Sequence, residues 1–446
     1  MNGAFRRHRH DREIFRIALP ALGALAADPL VSLVDIAFVG RLGSSALGSL
    51  AISVAVFSLA FALFNFLAYG TTPLVAGALA RRDRQEASRT SRAAVCIALF
   101  LGVLLAGVLA GGADILLRVM GAGEETISGA RSYLRIRSLA LPAAMLITAG
   151  HGIYRGLRNT RTPFLITVGL NMVNLILDPI LIFSFSWGLA GAAWATVIAQ
   201  WTGAVWFLLL LRRPGELLGR KNEKANRGDY QRLLTAGGAL VVRTGLLLGV
   251  VALATAVAAR VGTAEVAAHQ IAFQLWILIA LVVDALAVSG QSMISGALSV
   301  NREEAWEVSR RLLVLGFVTG LLASTILVGV SPWLPKWFTT DPDVINALHD
   351  VYPFVVLMQP LNALVFVWDG VVMGATDFGF LARTVTVAAI VGAAVLFVVL
   401  PMDWGLAGVW WGIVVQIIAR GIPLAWWQLR GPLSPERDSY RESPEA

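Results

Sequence analysis

The chain has 446 residues, of which 57% are hydrophobic and only 14% charged, with a mean hydropathy of +0.72. A soluble domain carries about 25% charged residues, so these figures exclude an ordinary soluble enzyme or binding module and indicate a polytopic membrane protein. The net charge of +8 reflects where the basic residues fall along the chain and does not indicate nucleic-acid binding.

Apolar runs separated by short polar turns predict an all-α protein of twelve spans. They lie near 15–39, 47–79, 93–113, 130–154, 164–185, 188–211, 232–259, 265–298, 311–331, 352–373, 381–401 and 405–429. The second and eighth exceed one bilayer crossing, which tilt or extension past the membrane face accommodates. The N-terminal stretch RRHRHDRE lacks the apolar core and small-residue cleavage site of a signal peptide. Most of the 36 lysines and arginines sit on one side of the alternation, in the N-terminal tail, the 80–92 and 155–161 turns and the 212–232 linker. This bias places both termini in the cytoplasm, as in a bacterial-type inner-membrane protein. Cys96 is the single cysteine, so no disulfide framework or cysteine metal site exists.

The first span carries Asp28 and Asp35 in an apolar run interrupted by Pro20 and Pro29. An Asp near a helix centre costs about 2.5–3.5 kcal/mol on insertion, so this helix should line a polar cavity and not face lipid. Asp28, Ser32 and Asp35 share one narrow helical face. The prolines each remove a backbone donor and permit bending. At the end of the fourth span, His151 either senses pH or faces water. The fifth span reads FLITVGLNMVNLILDPILIF, with Asn171, Asn174 and Asp178 within about 60° of one another and Pro179 following. Thr196 in the sixth span joins this group if the helices pack together. Two carboxylates sharing a low-dielectric cavity can hold a proton near neutral pH, and the same oxygens suit Na⁺. Beyond that possible Na⁺, no metal site and no cofactor are expected: no P-loop motif occurs, so ATP does not drive the protein directly.

Sliding the sequence by about 219 positions brings the second half onto the first. GRLGSSALGSLAI (40–52) meets ARVGTAEVAAHQI (259–271), the WGLAG beginning at Trp187 meets the WGLAG at Trp404, and Gly152 and Gly156 meet Gly370 and Gly374. Six spans per half give both halves the same orientation, so the lobes are related by a pseudo-two-fold axis along the membrane normal. The expected organisation is a tail at 1–13, a six-helix lobe at 14–211, a linker at 212–231, a second lobe at 232–429 and a tail at 430–446. Such duplicated proteins are typically secondary transporters. The second lobe lacks the carboxylates of the first, since Asp35 maps onto Ala254. Its polar set is Arg243, Gln270, Gln274, Asp284 and Asp369, with Arg243 and Asp284 a candidate buried ion pair. Phe57, Phe61, Phe64, Phe273 and Trp276 lie inside the second and eighth spans and serve as core, lipid-facing or cavity aromatics.

The first span, the Asn174-x₃-Asp178-Pro179 of the fifth, the Arg155-Gly156 turn and the repeated WGLAG together resemble the multidrug and toxic compound extrusion (MATE) transporters, the first span being similar to the DinF-type branch. The resemblance covers all twelve spans. It implies a non-enzymatic antiporter that exports cationic or amphipathic organic compounds in exchange for H⁺ or Na⁺, acting as a monomer in the bilayer. It assigns the cation site to Asp35, Asn174, Asp178 and Thr196, and the bending point of the first helix to Pro20. Asp28 makes the cavity more acidic than in relatives with a neutral residue there, and Asp369 leaves open a second-lobe cation site. The rival within the same superfamily is a flippase for lipid-linked precursors, for which Arg243 and Arg420 offer the basic residues.

Overall fold

The computed structural model describes residues 8–62, 65–213, 216–219 and 223–434. Residues 1–7 and 435–446, which make up much of both expected tails, lie outside the described residues, as does Phe64. The described chain is helical throughout. Its elements are α1 (Asp11–Gly40), α2 (Ser44–Ala62), α3 (Phe66–Ala80), α4 (Arg84–Gly111), a short α5 (Ala113–Val119), α6 (Glu124–Ser138), α7 (Leu141–Gly156), α8 (Arg161–Pro179) and α9 (Gly188–Leu211). The second half contributes α10 (Arg227–Val261), α11 (Thr263–Leu298), α12 (Arg302–Val330), a short α13 (Leu334–Phe338), α14 (Pro342–Gly374), α15 (Phe378–Val399) and α16 (Gly405–Arg430).

Ten of these helices are each long and apolar enough to cross a membrane, and α6 with α7 forms one more span bent by 48°. α2 and α3 lie within the expected second span, which completes the twelve. Its counterpart α11 is a helix of 36 residues.

The repeat is legible in details that composition does not dictate. Asp83 and Asn301 cap α4 and α12 by accepting from the backbone N–H groups of Glu86 and Glu303. Asn159 and Asp377 do the same before α8 and α15, accepting from Thr162 and Phe380. Such caps satisfy helix donors that have no partner within the helix. The loops before α9 and α16 turn through left-handed Ser186 and Asp403 (φ 57° and 53°), and Gly188 and Gly405 follow in the same region. Positive φ is uncommon outside glycine, so its recurrence at matched positions marks the same turn built twice.

Glycine contacts recur in the same way. A Cβ on Gly152 of α7 would lie 2.9 Å from the Ala68 carbonyl of α3, and one on Gly370 of α14 would lie 2.5 Å from the Ala287 carbonyl of α11. Gly102 and Gly320 likewise accept Pro142 and Pro360 at 2.5 and 2.7 Å. Small residues allow membrane helices to approach closely where no hydrophobic effect drives them together.

By packing, the chain divides into two compact units. One comprises Leu19–Gly237, and the other Gly238–Ala446 together with the residues up to Ala18. The packing boundary thus passes through α1, next to Pro20, and through the first turns of α10. The start of α1 is fixed to the second unit: Arg311 forks onto both carboxylate oxygens of Asp11 at 2.6 and 2.9 Å, Arg9 pairs with Glu307, and Ser289 donates to the Ile14 carbonyl at 3.2 Å. Beyond these anchors, neither α1 nor α10 packs closely along any other helix among the described residues.

Adding a methyl at Gly152 or Gly370 should cost about 1–3 kcal/mol, the scale of core overpacking. Thermal melting of purified Gly152→Ala and Gly370→Ala should show clear losses. Gly379→Ala, where nothing lies within 4 Å, should melt like the parent.

Candidate cation site

The site is built from two helices of the first unit. On α8, Thr167, Asn171, Asn174 and Asp178 follow a three-and-four spacing, so they form one stripe, and all four are buried. On α1, Asp28 and Asp35 stand two turns apart. The Asn171 amide donates to Asp28 at 3.1 Å, and two turns along both helices the carboxyls of Asp35 and Asp178 face each other and interact. Matching rungs in the same order mean that α1 and α8 run parallel. Parallel first and fifth spans require three crossings between them, which agrees with the span order read from the sequence.

The rungs are framed by packing. Gly23 leaves room for the Phe164 ring, which a Cβ would meet at 2.5 Å. At the other end Phe38 meets Phe183 edge-on, with ring centroids 6.3 Å apart. Pro179 lacks an N–H, so the Leu175 carbonyl loses its helical partner, and the chain widens into a π turn over Ile180–Ser184. Departures of this kind inside helices are frequent at functional sites.

The carboxyl pair is not satisfied by the protein. Asp35 Oδ1, both carboxyl oxygens of Asp178 and the Asn174 amide nitrogen are buried without a well-formed hydrogen bond, although Asn174 lies beside Asp178. Two facing carboxylates without a donor demand a proton or a cation between them. Asp28 and Ser32, by contrast, are exposed. The Thr196 hydroxyl donates within its own helix to the Ala192 carbonyl at 3.0 Å, so no contact with Asp178 is seen for it. His151 stands at the far end of the stripe, partly buried, with Nε2 at 3.2 Å from the Thr167 hydroxyl and its ring against Phe207.

Arg137 is the residue that sequence reasoning missed. Arg137 falls near the start of the expected fourth span, at 130–154. The structure places it on α6, beside Tyr133 and within electrostatic reach of Asp35 and Asp28. Its guanidinium lies 4.0 Å from the centroid of the Phe57 ring, a favourable cation–π geometry. The signal was available: Tyr133 and Arg137 are one turn apart inside the predicted fourth span.

The second unit assembles a different group. Arg243 of α10 and Arg420 of α16 both pair with one oxygen of Asp369 on α14, and Asp284 acts electrostatically on Arg420. Arg243, expected to pair with Asp284, thus pairs with Asp369, and Asp284 joins the cluster through Arg420. Gln270 and Gln274 are exposed on α11. No group of three or more His, Cys, Asp or Glu side chains is arranged to hold a metal ion among the described residues.

A sequence model of the MatE family matches residues 20–180 and 240–398. The chain belongs to the MatE family. The two matched segments are the two repeats, and the family's members are membrane transporters, not enzymes. Among its relatives, Protein DETOXIFICATION 44, chloroplastic, of Arabidopsis thaliana is 37% identical, with 93% of this chain and 81% of that protein aligned. DNA damage-inducible protein F of Escherichia coli (strain K12) is 29% identical over 93% of this chain and 91% of that protein, in line with the DinF-like first span. A crystal structure of a MATE protein in the bent conformation superimposes with a TM-score of 0.86 at 22% identity, covering 97% of this chain and 98% of that one. This MATE protein is thus a multi-pass membrane transporter of a compound-exporting class, handling small organic substrates and ions.

Two outcomes test the geometry. Asp369→Asn leaves two buried guanidiniums without their shared counter-charge, and breaking a buried ion pair costs about 3–5 kcal/mol, so thermal melting should fall steeply. Arg137→Gln removes the cation over the Phe57 ring, a contact of about 0.5–2 kcal/mol, so its thermal melting should fall modestly below that of the parent.

Proposed function

We propose that this MATE transporter is a secondary antiporter that exports cationic or amphipathic organic compounds in exchange for H⁺, or for Na⁺ at the same oxygens. The observation that supports it is the facing Asp35–Asp178 pair, buried and without adequate hydrogen bonds. A deprotonated pair attracts a cationic substrate or an ion, and a protonated pair does not. Competition for one acidic site is enough to couple two fluxes, because a ligand shifts an equilibrium only through its differential affinity for the two states.

Asn174 and Asp28 belong to the same acidic face, and Thr196 offers a further oxygen once its helix adjusts. Proton entry changes the tie between α1 and α8, replacing the repulsion of two carboxylates by a shared hydrogen bond. The helix then bends where Pro20 and Pro29 leave the Arg16 and Leu25 carbonyls without helical partners. The protein acts as a monomer in a bacterial-type inner membrane, with both termini on the cytoplasmic side in keeping with the basic bias of that face. Membership of the MatE family and the export names of several relatives, among them the multidrug export protein MepA of Staphylococcus aureus (strain MSSA476), support the substrate class.

The test is efflux of a fluorescent organic cation from proteoliposomes under an imposed pH or Na⁺ gradient. The parent should respond to one gradient, which names the ion. Asp35→Asn and Asp178→Asn should each reduce gradient-driven efflux to the protein-free rate. If both variants keep parental coupling, the site is wrong. If the parent moves no cation under either gradient, lipid flipping takes its place.

A further inference from the structure

A second site lies apart from the carboxylates, where the linker meets the first unit. Ser88 of α4 donates to the Leu217 carbonyl at 2.5 Å and Arg92 donates to the Leu218 carbonyl at 3.0 Å. The Leu218 N–H reaches back to the Leu211 carbonyl at the end of α9, also at 3.0 Å. These bonds hold the described part of the linker against α4 and α9 and enclose a recess of about 430 Å³. Arg92, Arg212 and Lys224 line it with positive charge, and Tyr230 of α10 adds a hydroxyl. Among the described residues no carboxylate lines it. Asp229 is engaged by Arg89 at 3.6 Å and Glu86 by Arg81 and Arg232 at 2.7 and 2.8 Å, while Glu216 and Glu223 stand on the linker itself.

The recess is graded along the helices. Arg92 lies nearer the start of α4 than Val95 and Cys96, and Arg212 lies one turn beyond Leu208 at the end of α9. Both helices therefore place cations at the membrane face and apolar side chains one turn deeper. We propose that this recess binds an anionic phospholipid, its phosphate held by Arg92, Arg212 and Lys224 and its glycerol and upper acyl chain against Val95 and Leu208. A free phosphate would use the cations and leave the apolar floor wet. A phospholipid matches both halves, and basic pockets between membrane helices are built for such headgroups. Because the linker joins the two repeats, an occupied recess fastens that connection to α4 and α9.

Cys96 provides the test, since it is the only cysteine in the chain, is exposed and lines the recess. The full-length protein in detergent is alkylated with a water-soluble maleimide in the presence of phosphatidylglycerol, phosphatidylcholine or inorganic phosphate. Saturating phosphatidylglycerol should slow labelling about tenfold, as occupancy of a site well above its dissociation constant predicts. Phosphatidylcholine and inorganic phosphate should leave the rate nearly unchanged. Arg212 and Lys224 are exposed, so Arg212→Gln combined with Lys224→Gln should fold normally and lose the protection, its rate with lipid matching its own rate without lipid. Equal protection by phosphatidylcholine, protection by inorganic phosphate alone, or full protection in the double variant would each overturn the assignment.

Discussion

The first helix of each repeat makes few close backbone approaches to other helices among the described residues, and polar ties stand out among its contacts. Neither α1 nor α10 lies closely along another helix among the described residues. Asp28 reaches Asn171 and Asp35 faces Asp178, while Arg243 of α10 reaches Asp369 and Thr255 meets His269 of α11 at 3.3 Å. Close helix packing changes little with ionisation. A tie made of carboxylates changes with every proton or cation that arrives, because unpaired charge in a low-dielectric interior is costly. α1 is therefore tied by the contacts most sensitive to charge.

The rest of the first unit makes this arrangement workable. The start of α1 is clamped by Asp11 on Arg311 and belongs to one compact unit, and its remainder belongs to the other. The division falls beside Pro20, where the helical hydrogen bonding is already interrupted. On the partner helix, Pro179 and the π turn perform the same loosening directly after Asp178. Arg137, over the Phe57 ring, places a positive charge within electrostatic reach of Asp35 and Asp28.

Duplication has preserved the frame and let the chemistry diverge. Caps, left-handed turns and glycine contacts recur at matched positions, because each is a steric or backbone requirement of the same helix pairing. The polar ties do not recur. The first unit opposes two carboxylates, whereas the second surrounds one carboxylate with two guanidiniums. The first arrangement holds two acids and no cation between them, and the second pairs its acid with two cations.

Much of this was legible in the sequence. Apolar runs of span length, the basic bias of alternate turns and the internal repeat follow from the cost of exposing backbone and charge to lipid, so they determined the helical class, the order of spans and the duplication. The spacing of Asp28 with Asp35 and of Asn171 with Asn174 and Asp178 placed each set on one helical face, since that depends only on helical period. Which face meets which was a matter for the tertiary structure. Only the parallel register of α1 and α8 could oppose Asp35 to Asp178, and only the placement of α6 brings Arg137 within reach of Asp35 and Asp28. Only helix placement could gather Arg243 and Arg420 onto Asp369. A sequence fixes periodicity within one helix, but contacts between helices far apart in the chain depend on rotation and depth, which packing alone decides.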